Sequence, residues 1–383
     1  AEKKKVSDKL LGKDEEITCK DVAKINDEDY ASCTISFDEN GIAKVSITGK
    51  GKFDGLKITN GTKENAEVKE ITKPKYGMKA VEYISNLYDY DGEGLKKDNT
   101  PDQNIRYYGS NPNNYVKFNN ELWRIIGVFG NNIKLIRSES LGKLSWDSSK
   151  SSINDGYGVN EWSQADLQVY LNKMYYGGTT VTCYGGTNNT TTTCPTNKLN
   201  AESKSLIDNH TWNTGAPNWI ALSDSTTESY DTVEFYKAER GSENGKICKS
   251  GRTYCNDTVT RTTSWTGYIA LPYVTDWAYA SSESVCETKI DKSATYICKN
   301  NNWMHHGSTF GDLTWYLSPY LQPDASNTAA SNSIWIVYGA GAASGYIAAR
   351  SNDVAPSIYL KSNVLIESGK GTSTDPYTLK LSN

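Results

Sequence analysis

The eight cysteines of this chain stand as four pairs of near neighbours: Cys19 with Cys33, Cys183 with Cys194, Cys248 with Cys255, and Cys286 with Cys298. No other feature restricts the fold as much. Eight cysteines permit on the order of a hundred connectivities, and proximity selects these four. Local pairing closes short loops and removes loop entropy from the unfolded chain. None of the pairs has the C-x-x-C spacing of a zinc knuckle or a thioredoxin-like site, and a cytosol would keep such thiols reduced. The expected location is therefore extracellular.

At 383 residues the chain is too long for one small core,. Its composition changes sharply along its length: the first hundred residues hold eighteen Lys but no Arg and no Trp, and all ten Trp and all seven Arg follow. Proline removes a backbone donor and biases its predecessor away from helix, so the Lys73-Pro74-Lys75 segment marks the junction. The expected organisation is a small domain over 1–72, a linker over 73–79 and a large domain over 80–383. In the small domain, Val6, Leu10 and Leu11 are spaced as on a helix within 2–12. The stretches 31–37, 43–48 and 56–59 then alternate like strands, with Asn40-Gly41 as a turn,.

In the large domain, 78–87 reads as a short helix, and ELWRIIGVF (121–129) reads as a buried strand that forms a hairpin with 133–137. Helices are expected over 163–175, capped by Ser163, and over 201–208 after the cap Asn200,. Between 176 and 263 Gly, Thr, Asn and Ser dominate, as in loops. Short strands return at 265–270, 313–317, 333–338, 345–349 and 357–360. This is an α+β pattern with long disulfide-stapled loops. Trp123, Trp162, Trp265 and Trp315 fall in these elements and are expected in the core.

Several function classes are disfavoured. The formal charge is −4, and no basic run is interleaved with aromatics, so nucleic acid is not an expected partner. The most apolar long stretch, 334–349, is broken by Gly339, Gly341, Ser344 and Gly345,. Only three histidines are present, His210, His305 and His306, and no acidic or cysteine set stands near them in sequence to complete a metal site,. Asp89-Tyr90-Asp91-Gly92-Glu93-Gly94 lacks the spaced acids and closing Glu of an EF-hand and reads as an acidic turn. No catalytic constellation stands out, and the chain is expected not to be an enzyme.

The stretches IRYYGSNPNNYVKFNNELWRIIGVFGNNIKLIRSESLG, TGYIALPYVTDWAYASS and CKNNNWM, with the ending SIYLKSNVLIESGKGTSTDPYTLKL, resemble a family of surface proteins of low-GC gut bacteria. The resemblance covers roughly 280 residues and implies a C-type lectin-like fold. It points to the branch shared by formylglycine-generating enzymes and the variable proteins of diversity-generating retroelements. The redox cysteines of the enzyme branch have no counterpart after Cys298. The first domain, through GKDEEITCKDVAKINDEDYASCTISFDENGIAKVSITGKGKFDGLKI, is similar to type IV pilin-like proteins. Those proteins begin with an apolar helix, of which Ala1–Leu11 would be the soluble end. Contact with a membrane is expected only through that missing helix.

By this resemblance the ligand surface lies in SIWIVYGAGAASGYIAARSNDVAP (333–356). The residues expected to carry it are Trp335, Tyr338, Ala340, Ala342, Ser344, Tyr346, Arg350, Asn352 and Asp353. Large rings give contact area at low rotamer cost, and small residues shape a depression between them. Register in this Gly/Ala-rich run is open, since a one-residue slip exchanges the faces. Relatives end this segment Gly-Val-Arg-Pro, where this chain has Asp353-Val354-Ala355-Pro356.

The expected function is that of a cell-surface or pilus-associated adhesin that binds a host or bacterial surface protein or glycan and associates with other pilin subunits. A structural filament subunit is the alternative. A calcium-dependent carbohydrate lectin comes third, on the tripeptide Gln322-Pro323-Asp324. No cofactor is expected, calcium being the one ion such domains hold.

Overall fold

The structure, a computed structural model, describes residues 30–37, 43–50, 56–59, 67–149, 156–215, 223–224, 229–241, 259, 261–291, 295–305, 313–320, 332–338 and 343–382. The expected helix over 2–12, the Asn40-Gly41 turn, Cys19, Cys248, Cys255, His306, Gln322-Pro323-Asp324, Ala340 and Ala342 lie outside the described residues. The chain divides into two compact units: residues 1–78 with 82–93, and residues 79–81 with 94–383. It is a mixed α+β protein, rich in sheet and short of helix.

The first unit contains a four-stranded antiparallel meander, Tyr30–Phe37, Ala43–Gly49, Leu56–Thr59 and Glu67–Glu70, each strand pairing with the next. The fourth strand, EVKE, was not expected, because it contains one apolar residue among three charged ones and carries no alternating signal,. Cys33 is disulfide-bonded, and Ile47 and Ile71 are buried. The helix Ala80–Tyr90 ends where the amides of Asp91 and Gly92 both donate to the Leu87 carbonyl, with Gly92 at φ +72°. A left-handed residue just past the last turn is the usual way to satisfy such carbonyls. Asp89–Gly94 is thus the end of a helix and a turn. Burial and the charge of Glu93 push the Asp91 carboxyl up.

The second unit is built around a seven-stranded sheet. Its order runs Ile269–Ala270, Ser357–Tyr359, Asn132–Arg137, Glu121–Phe129, Ile105–Tyr107, Leu95–Lys97, and Tyr115–Phe118 also pairs with Glu121–Phe129. The hairpin 121–137 is its centre, and both strands are buried for most of their length on either face. Continuous apolar runs such as LWRIIGVF form strands of this kind. A second, five-stranded sheet has the order Lys143–Leu144, Asn352–Asp353, Leu313–Pro319, Ser333–Tyr338, Ala343–Ile347.

Among the described residues, seven tryptophans of this unit are fully buried. Several donate their indole N–H to backbone carbonyls: Trp212 to Gly267 (3.1 Å), Trp303 to Tyr107 (2.8 Å), Trp315 to Leu144 (2.8 Å) and Trp146 to Tyr316 (3.3 Å). These bonds satisfy the one polar atom of each ring and tie distant strands together. Trp265 departs from expectation: it is only partly buried, its ring edge-on to Trp162 at 6.0 Å on a strand exposed on its other face.

The helical segment expected over 163–175 is a 3-10 turn (Trp162–Gln164), a short α turn (Asp166–Val169) and a π turn (Tyr170–Tyr176) in succession. Its cap is Glu161, whose carboxylate accepts from the Gln164 amide and the Ser163 hydroxyl, so Ser163 lies inside the turn and not at its cap. Asn200 does cap Ala201–Leu206, accepting from the Ser203 amide at 2.8 Å.

The disulfides Cys183–Cys194 and Cys286–Cys298 are both formed, with Cα–Cα distances of 5.2 and 5.7 Å. Two cross-links of this kind suit a chain that matures outside a reducing cytosol. Among the described residues no helix is long and apolar enough to cross a membrane.

Candidate functional site

The surface expected over 333–356 is divided by the fold. Ser333–Tyr338 is an inner strand of the five-stranded sheet, and every residue from 333 to 337 is buried, so neither face of it is presented to solvent. Trp335 is therefore core and not a contact residue. Its ring packs edge-on against Phe235 (5.0 Å) and Tyr320 (4.6 Å). Asn352 and Asp353 are also buried, at 2% and 7% exposure, where their short strand pairs with Lys143–Leu144 and makes a parallel bridge to Thr314. Asn352 Nδ2 and Asp353 Oδ2 have no hydrogen-bond partner among the described residues.

Ser344, Tyr346 and Arg350 do reach the surface. Ala343–Ile347 is the last strand of the sheet, and Ser344 to Ile347 are all partly exposed. The Tyr346 ring lies 6.4 Å from Trp315. Arg350 is exposed in the following turn, its amide donating to the Ile347 carbonyl. Between them Gly345 is required: a Cβ there would fall inside the Tyr320 ring. Tyr338 ends the inner strand, and its side chain lies outside the description.

The densest polar chemistry sits in the core, where no site was expected. Arg106 and Lys134 lie on strands that flank Glu121–Phe129, and both are paired with Gly127. Cross-strand neighbours share a face, so the two long cations project side by side across a position without a side chain. A Cβ at Gly127 would strike the Ile105 carbonyl oxygen.

Above them, Asp276 in the helix Val274–Tyr279 receives both cations, Arg106 Nη1 on Oδ1 at 2.8 Å and Lys134 Nζ on Oδ2 at 2.6 Å. Oδ2 also accepts from the Tyr273 amide at 2.9 Å. Arg106 Nε donates to Asp98 at 2.6 Å, and Asp98 is held in turn by the Thr100 hydroxyl and the Asn104 amide. The side chains of Arg106, Lys134, Asp98 and Asp276 are all wholly excluded from solvent. Their charges balance, two against two, as burial requires.

Aromatic rings form the walls. The guanidinium of Arg106 lies over Phe129 (4.7 Å) and Tyr279 (4.8 Å), and Lys134 Nζ lies over Tyr273 (4.1 Å), Trp212 (5.4 Å) and Tyr359 (5.4 Å). Beside them Glu239 accepts from Thr275 and meets Arg240 at 3.3 Å.

Burial works against every charge here, and the outcome differs from group to group. It would raise the two aspartates, yet Arg106 holds Asp98, and Lys134 with Arg106 holds Asp276, below the usual carboxylate range. Burial pushes the Lys134 ammonium down to about 8 despite Asp276. It pushes Glu239 up to about 7 despite Arg240 and Thr275. The signal for this cluster was present in the sequence, as charges inside apolar runs: Arg106 in IRYY, Lys134 in NIKLIR and Asp276 in PYVTDWAY.

A third feature is an open cleft of about 280 Å³ between the Phe118–Asn120 turn, the start of Ala201–Leu206 and the strand Thr378–Leu381. Asn119 and Asn120 both take left-handed backbone, with φ 57° each. The Asn119 side chain is occupied by the Lys198 carbonyl and the Asn200 amide. Lys117, Glu202 and Glu367 give the rim charges of both signs.

Of the histidines, His210 stacks on Tyr359 at 3.8 Å and meets Asp208 at 3.1 Å, and the His305 ring lies edge-on to Trp277 at 6.2 Å. Among the described residues no three of His, Cys, Asp and Glu come together as a metal-binding set. No family model, no curated protein and no solved structure matches this chain.

Proposed function

We propose that the chain is an extracellular adhesin, attached to a cell surface or pilus, whose second unit presents a protein- or glycan-binding surface on a C-type lectin-like scaffold. The first unit is read as its pilin-like attachment piece. The observation that carries this reading is the edge strand Ala343–Ile347 with its following turn. There Ser344, Tyr346 and Arg350 reach solvent from a base of buried Trp315, Trp335 and Tyr316. A rigid aromatic core beneath a small, mixed polar and aromatic surface is the usual build of a recognition patch.

The network of Arg106, Lys134, Asp98 and Asp276 is sealed from solvent and serves this reading as internal bracing. Binding of the full chain to bacterial and host cell surfaces and to a glycan array tests the proposal, with Tyr346→Ala/Arg350→Ala as the comparison. Binding that falls at least tenfold in the double variant supports it. Binding that is absent for the unaltered chain, or equal in the variant, overturns it.

A further inference from the structure

We propose that Lys134 and Asp276 are the two ends of an intramolecular cross-link, an amide bond that forms spontaneously in the folded core. The amine nitrogen of Lys134 stands 2.6 Å from Asp276 Oδ2, and both side chains are wholly buried. They come from a central strand and a helix 142 residues apart in sequence. The rings of Tyr273, Trp212, Tyr359 and Phe129 lie around the amine. The chain therefore holds an amine and a carboxyl in contact, in a place that water does not enter.

Two charges in such a place are costly, and passing one proton from the ammonium to the carboxylate cancels both. The neutral pair is the reactive one: a free amine beside a carboxylic acid. Burial draws the Lys134 ammonium down to about 8, while Lys134 and Arg106 hold the Asp276 carboxyl low, so the neutral pair is the minor form through which the bond forms. The other carboxyl oxygen, Oδ1, receives Arg106 Nη1 at 2.8 Å. That contact polarises the carbonyl and faces the oxygen on which negative charge grows as nitrogen attacks. Holding the reacting groups together removes the entropic part of the barrier.

The step balances without any co-reactant. The Nζ lone pair forms a bond to Cγ of Asp276, the Cγ–Oδ2 bond breaks, and Oδ2 departs with two protons as one water molecule. The protons are the one already moved to the carboxyl and one from the attacking nitrogen. The amide keeps a single N–H, its oxygen stays on Arg106, and no electron is gained or lost.

Mass spectrometry of the full chain, with disulfides reduced so that the sequence alone sets the expected mass, decides the matter. The expected result is a chain lighter by one water, with a proteolytic fragment in which the peptide containing Lys134 is joined to the peptide containing Asp276. Lys134→Met, which keeps the length and apolar fit of the side chain, is expected at full mass. Asp276→Asn is expected to reach the same final mass as the cross-linked chain, because ammonia then leaves in place of water.

An unaltered chain at full mass overturns the proposal. So does a chain lighter by one water whose Lys134 peptide is released free, since that loss has occurred elsewhere. The peptide map of the unaltered chain is decisive even if neither variant folds.

Discussion

Glutamine in place of Glu239 keeps the shape of the side chain, resembles its protonated form and removes a charge from the core. Glu239 is wholly buried, and burial raises its carboxyl from 4.5 to about 7 against the pull of Arg240 and Thr275. A carboxyl raised on folding binds its proton more tightly in the folded chain than in the unfolded one. Its contribution to stability is therefore fully present below the unfolded value and is lost as pH rises through about 7. At about 1.36 kcal/mol for each pH unit between the two values, the loss amounts to about 3 kcal/mol.

Urea unfolding of the full chain with disulfides intact, compared with Glu239→Gln at a series of pH values from 4 to 8, reads this directly. Every other group titrates alike in both proteins and cancels in the difference. The two are expected to be nearly equal in stability at the acid end, and the variant more stable by about 3 kcal/mol at the alkaline end. A difference that stays flat across the series, within about 0.5 kcal/mol, would refute the claim that burial raises this carboxyl on folding in spite of Arg240.

Arg106→Met leaves the buried Asp98 without its cation and is expected to cost about 3–5 kcal/mol in the same urea assay, a far larger loss than a surface arginine would show,. Gly345→Ala forces the Tyr320 ring off its seat and is expected to cost about 1–3 kcal/mol by thermal unfolding, while Arg350→Ala changes stability by less than about 0.5 kcal/mol,. Replacing Cys183 and Cys194 together by Ala opens a loop spanning 11 residues of sequence separation. By the loop-entropy relation it is expected to lower unfolding stability by about 3 kcal/mol.

Much of the strand architecture was legible because the apolar runs are long. ELWRIIGVF and NIKLIR announce buried strands, and the Gly130-Asn131 turn between them leaves little choice of partner. Short elements were harder to place. The segment 162–176 changes helix type twice, and Glu161 caps it through a side chain that also accepts from Ser163, so the nearest Ser was taken for the cap.

The parity of the expected ligand surface could not be read, because a strand buried on both faces has no alternation to reveal. Trp335 therefore looked equally suited to contact and to core. Whether Arg106, Lys134 and Asp276 meet depends on Gly127 and on the strand order, which no local pattern encodes. What local pattern does encode is the oddity of each charge in its apolar run, and a charge so placed requires a buried partner.

The last strands of the second unit return to its first residues. Leu365 bridges to Lys79, and Tyr377 exchanges backbone hydrogen bonds with Tyr115 and Lys117 beside the buried Val116. The closing strands of this unit and its opening residues therefore hold one another, so that fraying at one loosens the other,.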